Sequence, residues 1–269
     1  MKTLRESILA DNAIKESILS DMEDTLVRGD NDADYIAVME IINRDYRLYK
    51  IYKSSISIVG KTKSGKILID GKGKIEFTNK SAKSVVNDVF EWNEFEGEFN
   101  CFKCNIESLE GFPRKIYNKE YEGRGINIDK CENLKTLKGC PNTVFGSFYC
   151  MGCKSLTSLE GTPEKLIGDF VCRYCDSLKS LKGAPKYITG NFDCVDCRSL
   201  ESLEGVPDKI LGNFDCAYCK SLKSLKGLPS SIRGNLTLPK IDSLFDEIGA
   251  EIISKTSVKG KAYVMPIKD

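Results

Sequence analysis

Histidine is absent from the chain. That excludes Ser–His and Cys–His nucleophilic catalysis, His-ligated metal sites and the usual neutral-pH proton shuttle. No apolar run approaches the roughly 18–20 residues that cross a bilayer. The opening stretch, MKTLRESILADNAIKESILSD, lacks the apolar core of a secretory leader. The chain is therefore expected in the cytoplasm, with its cysteines as reduced thiols. An excess of one charge is missing too: 40 Lys and Arg meet 39 Asp and Glu, a net charge of +1. General nucleic-acid and anionic-membrane binders rely on positive excess, so neither partner is expected. Apolar material is not scarce, since 41% of 269 residues is enough for one large core or two smaller ones.

What the chain has in quantity is self-similarity and cysteine. Aligned on their Cys-x-x-Cys pairs, four segments read FYCMGCKSLTSLEGTPEKLIGD, FVCRYCDSLKSLKGAPKYITGN, FDCVDCRSLESLEGVPDKILGN and FDCAYCKSLKSLKGLPSSIRGN. Cys153, Cys175, Cys197 and Cys219 follow one another at 22 residues, as do Gly161, Gly183, Gly205 and Gly227. Pro163, Pro185, Pro207 and Pro229 keep the same step. Two earlier copies start at Cys101 and Cys131, separated by an insertion around Asn118–Gly125, and Leu236-TLPKI is a degenerate last turn. A unit this short has one narrow apolar stripe, which it must bury against its neighbours. It contains two short alternating stretches punctuated by Gly and Pro and nothing with about 10 residues of helical period, so its turns are extended. The expectation is a right-handed, β-rich solenoid.

The wording C-x-S-L-x-S-L followed by P-x-x-I resembles leucine-rich repeats of the Cys-containing and BspA-like kinds, over about Phe95–Ile241. Similar repeats occur in reading frames of tailed bacteriophages. The strict Cys in place of Leu, and the short Gly-Pro segment, leave open which half of each unit is concave. The resemblance implies an α+β, mostly β fold: a leucine-rich-repeat-like solenoid of about six 22-residue turns. Four regions follow: a helical arm or cap at 1–53, a β-meander cap at 54–94, the solenoid at 95–241 and a helical C-terminal cap at 242–269.

The cysteines admit two readings. C-x2-C-x18-C-x2-C falls within zinc-ribbon spacing. Alternatively, Cys serves as a small buried hydrophobe stacked in a ladder. Ile128 replaces one first Cys, and Leu238 with Ile241 replace both in the last turn. Metal ligands do not exchange with Leu and Ile, whereas core positions do. The core reading is therefore adopted, with no metal and no cofactor, and a metal-binding ladder kept as the alternative.

The residue before each repeat Gly alternates in sign: Glu110, Lys138, Glu160, Lys182, Glu204, Lys226. In a parallel stack these positions lie about 4.8 Å apart, so neighbours are expected to pair. Gly60-KTKS-Gly65-Lys66 nearly spells a phosphate-binding loop, but Ile67 stands where Ser or Thr must hold Mg²⁺, and the following KILIDGKGKIEF has strand period. The segment is read as a meander, Ser55–Val59, Lys66–Asp70 and Lys74–Thr78, with a turn at Gly71–Gly73. Upstream, LRESILAD recurs as IKESILSD, giving short amphipathic helices, with another helix around Asp34–Arg44. They serve either as a cap or as a docking arm. Ile241–Lys255 reads as an amphipathic helix and KAYVMPI as a terminal strand.

These features lead to a non-enzymatic, cytoplasmic protein–protein interaction module. With no His or other evident base, a Cys nucleophile lacks activation, and no catalytic residue is assigned. The positions between the paired Cys vary most, as expected of positions released from packing. Tyr and Arg are enriched in binding hot spots. The expected partner-binding residues are Tyr149, Arg173, Tyr174, Asp193, Asp215 and Tyr218. The alternative is a phage virion-associated structural or host-recognition protein docked by its N-terminal arm, and found in the host cytoplasm or the virion.

Overall fold

Each repeat's alternating stretches are too short to stand alone, and stacking them in register buries both. The computed structural model, which describes residues 33–34, 36–38, 49–77, 86, 88–117, 123–245 and 247–266, is a parallel β-solenoid of about eight turns. Strand β1 (Tyr49–Lys61) pairs antiparallel with β2 (Ile67–Phe77), and β2 pairs parallel with β3 (Phe90–Asn100). Each later turn contributes two short strands. They are β4 (Lys115–Tyr117) and β5 (Arg124–Asn127), then β6 (Thr143–Phe145) and β7 (Ser147–Tyr149), then β8 (Lys165–Ile167) and β9 (Phe170–Val171). Next come β10 (Tyr187–Ile188) and β11 (Phe192–Asp193), β12 (Lys209–Ile210) and β13 (Phe214–Asp215), and β14 (Ser231–Ile232) and β15 (Leu236–Pro239). A 3₁₀ turn (Asp242–Phe245) and helix α1 (Glu247–Ser254) precede β16 (Ser257–Val258) and β17 (Ala262–Met265). Even-numbered strands from β4 form one parallel ladder, and odd-numbered strands from β5 form a second.

The repeat residues become rows that run the length of the stack. Phe148, Phe170, Phe192 and Phe214 are fully buried, with successive ring centroids 5.5, 5.2 and 5.7 Å apart. Beside them run the two Cys rows, two Leu rows and the Ile/Val/Leu row of the first ladder, all buried. At the N-terminal end Trp92 is 2% exposed and makes edge contacts with Phe90, Phe95 and Phe99. Between the ladders the chain turns a corner where coils touch backbone to backbone. A Cβ on Gly97 (φ +135°) would lie 1.8 Å from the Gly73 carbonyl oxygen, so the corner admits only glycine. Just past it, each coil's backbone N–H is received by a side chain of the coil before. Asn191 N–H donates to Asp169 Oδ1 (2.7 Å), Asn213 to Asn191 (2.8 Å), Asn235 to Asn213 (2.7 Å) and Lys261 to Asn235 (2.8 Å).

Three expectations are revised. The turn count is about eight rather than six, because β2 at one end and β16 with β17 at the other extend the ladders without carrying Cys-x-x-Cys. The hairpin turn at Gly71–Gly73 is not formed: β2 runs through it, and Gly73 instead stacks on Gly97 at the corner. The C-terminal helix exists, but strands on both sides of it belong to the ladders, so it stands inside a turn instead of ending the stack. The expected arm helices fall outside the described residues. Of the helix expected at Asp34–Arg44, residues 34 and 36–38 are helical; Val38 is buried and Asp34 pairs with Lys61 at 2.9 Å. No helix among the described residues is long and apolar enough to cross a membrane.

The expected ion-pair row is realised in part. Lys138 pairs with Glu110 at 3.4 Å, despite the insertion between them, and Glu204 is held by both Lys182 (3.3 Å) and Lys226 (3.0 Å). Glu160 has no ion pair among the described residues. Three further rows place opposite charges on neighbouring coils, giving Glu107–Lys135 (2.6 Å), Glu201–Lys223 (2.8 Å), Glu132–Lys154 (2.9 Å) and Glu164–Lys186 (2.9 Å). Exposed pairs add little to stability individually, but each row disfavours out-of-register stacking.

Candidate interaction face

After β3 and after the second-ladder strands β7, β9, β11 and β13 the chain passes through Cys-x-x-Cys in a tight turn, and after β5 through Ile128-x-x-Cys131. Its second intervening residue is left-handed in coil after coil: Lys103 (φ 57°), Lys130 (60°), Tyr174 (58°), Asp196 (54°) and Tyr218 (62°), with Gly152 (68°) in the same slot. A non-Gly residue there costs roughly 1–2 kcal/mol. The stack supplies compensation, because the N–H groups of Lys103, Lys130, Gly152, Tyr174 and Asp196 each donate to a carbonyl of the next coil, Tyr174 to Val195 at 3.0 Å and Asp196 to Ala217 at 2.9 Å. The left-handed twist also sends the side chain outward, and Tyr174 is 48% exposed.

The cysteines flanking this turn face the other way. In each coil the second thiol donates to a carbonyl of the preceding coil: Cys175 to Cys150 (3.2 Å), Cys197 to Cys172 (3.1 Å) and Cys219 to Cys194 (3.1 Å). Ile241, partly buried against the core, stands in the equivalent position of the next turn without a thiol, so the bond is dispensable there. Burial pushes the Cys153 and Cys216 thiols well above their ordinary range. Cys150, Cys172 and Cys194 are pushed up first by hydrogen bonding to the neighbouring coil's thiol, then by burial. Such thiols are poor nucleophiles and poor ligands. Among the described residues no group of three or more His, Cys, Asp or Glu is placed to hold a metal ion.

The six expected partner-binding residues all lie on the second ladder or its turns, but they do different things. Tyr174 and Tyr218 share the outward slot two coils apart, about 10 Å along the axis, with Asp196 between them. Tyr149 is half-buried in β7. Asp193, only 9% exposed, caps its own turn: its Oδ1 accepts the Val195 N–H at 3.2 Å, and its Oδ2 accepts Arg173 Nε at 2.7 Å. Asp215 caps the next turn, accepting the Ala217 N–H at 2.9 Å. Asp193 and Asp215 are register partners on adjacent strands. Burial, and then the Asp193 charge, push the Asp215 carboxyl above its usual range despite the Ala217 bond and Arg173. Asp193 holds Arg173 across the face, which raises the guanidinium further.

The Cys-x-x-Cys turn therefore releases its second position from packing throughout and its first only in some coils, where Phe102, Met151 and Arg173 are half-buried. In the other coils the first-position residues Asp129, Val195 and Ala217 are 2%, 8% and 3% exposed. The two positions look alike in the sequence because left-handed backbone at non-glycine residues leaves no periodic mark. The Asp196–Arg198 pair (3.2 Å) and the Phe102–Lys103–Lys130 group on the same edge likewise leave no mark in the repeat pattern. The face belongs to a parallel β-solenoid with a hydrogen-bonded thiol interior and an outward polar and aromatic turn edge. No family model, no curated protein and no solved structure matches this chain.

Proposed function

We propose that this chain is a non-enzymatic, leucine-rich-repeat-like module that binds another protein in the cytoplasm. Binding is through the turn edge of its second ladder. The observation that carries this reading is Tyr174: a large aromatic nearly half exposed, on backbone fixed by an inter-coil hydrogen bond. A rigid, outward aromatic loses little entropy on binding, which is the property of interface anchors. Tyr218, two coils on, and the Arg173 guanidinium extend the edge along the stack. Asp193 and Asp215 contribute by holding the turns and Arg173 in place. The interior thiols, raised and committed to carbonyls, favour a structural role over a Cys nucleophile.

The test is capture of partners from the source cell by wild-type protein, by Tyr174→Ala/Tyr218→Ala, and by protein lacking residues 1–50. Truncating a hot-spot aromatic costs on the order of 2 kcal/mol, about thirtyfold in affinity. The double variant is expected to lose the partner while keeping its melting temperature. A second reading, docking to a virion through the arm, is favoured by the duplicated ESIL-x-D of residues 6–11 and 16–21. Unchanged capture by the double variant, with loss on removal of residues 1–50, supports that reading and defeats the first.

A further inference from the structure

Coil-to-coil rows along the Leu-rich loops pair opposite charges, as Glu107–Lys135, Glu110–Lys138 and Glu132–Lys154 do. At the N-terminal end of the turn edge the pattern breaks. Lys103 and Lys130 occupy the same left-handed slot in successive coils, with φ 57° and 60°. Their backbones are fixed, Lys103 N–H donating to Asp129 O at 2.9 Å and Lys130 N–H to Met151 O at 2.6 Å. Both side chains converge on one aromatic ring: the ammonium groups lie 5.3 Å (Lys103) and 6.0 Å (Lys130) from the Phe102 centroid. Neither lysine has a carboxylate at ion-pair distance among the described residues.

The two lysines open onto a shallow cavity of about 330 Å³, lined also by Cys104, Asn105, Glu132 and Asn133. The acidic group on this rim is already committed, since Glu132 is held by Lys154 at 2.9 Å. Asn133 Nδ2 donates to Asn105 Oδ1, which leaves the Asn105 Nδ2 as a further donor on the cavity wall. Two cations on fixed backbone and an amide donor around an open concavity form a receptor for a doubly charged oxyanion. A single carboxylate would neutralise only one lysine. Ammonium groups bind tetrahedral phosphate as point charges without needing the planar match that favours Arg.

We propose that Lys103 and Lys130, over the Phe102 ring, bind a phosphate group, free or as a monoester. The cavity suits one such head group, and a chain of net charge +1 offers no general polyanion surface beside it. The site lies two or more coils from Tyr174, and the proposal does not rest on the binding role given to that residue.

The experiment is a titration of isotope-labelled full-length protein, followed by amide chemical shifts at neutral pH. Inorganic phosphate and phenyl phosphate are the two probes, with sodium chloride holding ionic strength constant. Saturable shifts confined to the turns at Phe102–Asn105 and Asp129–Asn133 are expected. Phenyl phosphate binding as tightly as phosphate identifies the ester as a ligand; weaker binding restricts the site to free phosphate. Lys103→Asn and Lys130→Asn remove the charge but tolerate left-handed backbone, and each should weaken binding about tenfold. Lys209→Asn, on the other ladder, should leave binding unchanged. As a fold-independent check, phosphate but not chloride should raise the melting temperature of the wild type. Linear, unsaturable shifts spread over many lysines, or equal binding by the Lys103→Asn/Lys130→Asn protein, would overturn the proposal.

Discussion

Replacing Asp215 by Asn should make the protein more stable. Asp215 does two things in the stack. Its Oδ1 accepts the Ala217 N–H at 2.9 Å, closing the turn, and its negative charge stands one strand from that of Asp193. Asparagine keeps the acceptor and removes the charge. The chain already uses Asn this way at Asn100, which receives the Phe102 N–H at 2.9 Å, and at Asn127, which receives the Asp129 N–H at 3.1 Å. Like charges directly across strands cost roughly 0.2–1 kcal/mol. Partial exposure of Asp215 screens part of that, and loss of its attraction to Arg173 takes back a little more. The net gain should be about 0.5 kcal/mol, or 1–2 °C in a chain of this size. The pH dependence carries the sharper signature. A carboxyl raised in the folded state favours folding only while protonated, so its contribution is lost as pH rises from the ordinary carboxylate value through the raised one. Wild type and Asp215→Asn should therefore melt together in acid and diverge as pH approaches neutrality. Urea melts at several pH values read this difference. Equal stability at all pH values, or a less stable variant at neutral pH, would refute the reasoning.

Two further outcomes test the stacking. Gly205→Ala should destabilise the fold by at least about 2 kcal/mol, because φ is +103° and the new Cβ would meet the Leu181 carbonyl oxygen at 2.3 Å; thermal melting followed by circular dichroism measures it. Glu204→Lys places a third lysine between Lys182 and Lys226, so its melting temperature should fall at low ionic strength, and the deficit should shrink as salt is added.

The solenoid could be read from the sequence because its rows recur at a fixed step: Phe, Cys, Leu and Pro all mark it. The turn built from β2 was hidden for the opposite reason. It carries no Cys pair, and Gly73 looks like a hairpin glycine unless Gly97 is known to stack on it. The Asn of each Gly-Asn ending was visible in three repeats, yet its purpose depends on a backbone N–H in the next coil, which sequence does not reveal. At the candidate face, the residue types of Arg173 and Asp193 suggested a binding surface, but their mutual contact turns Asp193 into a support. Tyr174 was legible as an aromatic in a variable slot. That its backbone is left-handed, and its ring therefore exposed, follows only from the three-dimensional turn.

The account rests on the Cys-x-x-Cys pairs being walls of a continuous core. Counting reactive thiols with an aromatic disulfide reagent, while assaying released zinc and iron, tests it most directly. Eleven of the twelve cysteines are buried and Cys140 is partly so, its thiol pushed up by burial. The eleven should react no faster than the protein unfolds, all twelve should react in denaturant, and no stoichiometric metal should appear. Rapid modification of paired cysteines in the native protein, or metal released in step with thiol loss, would contradict it.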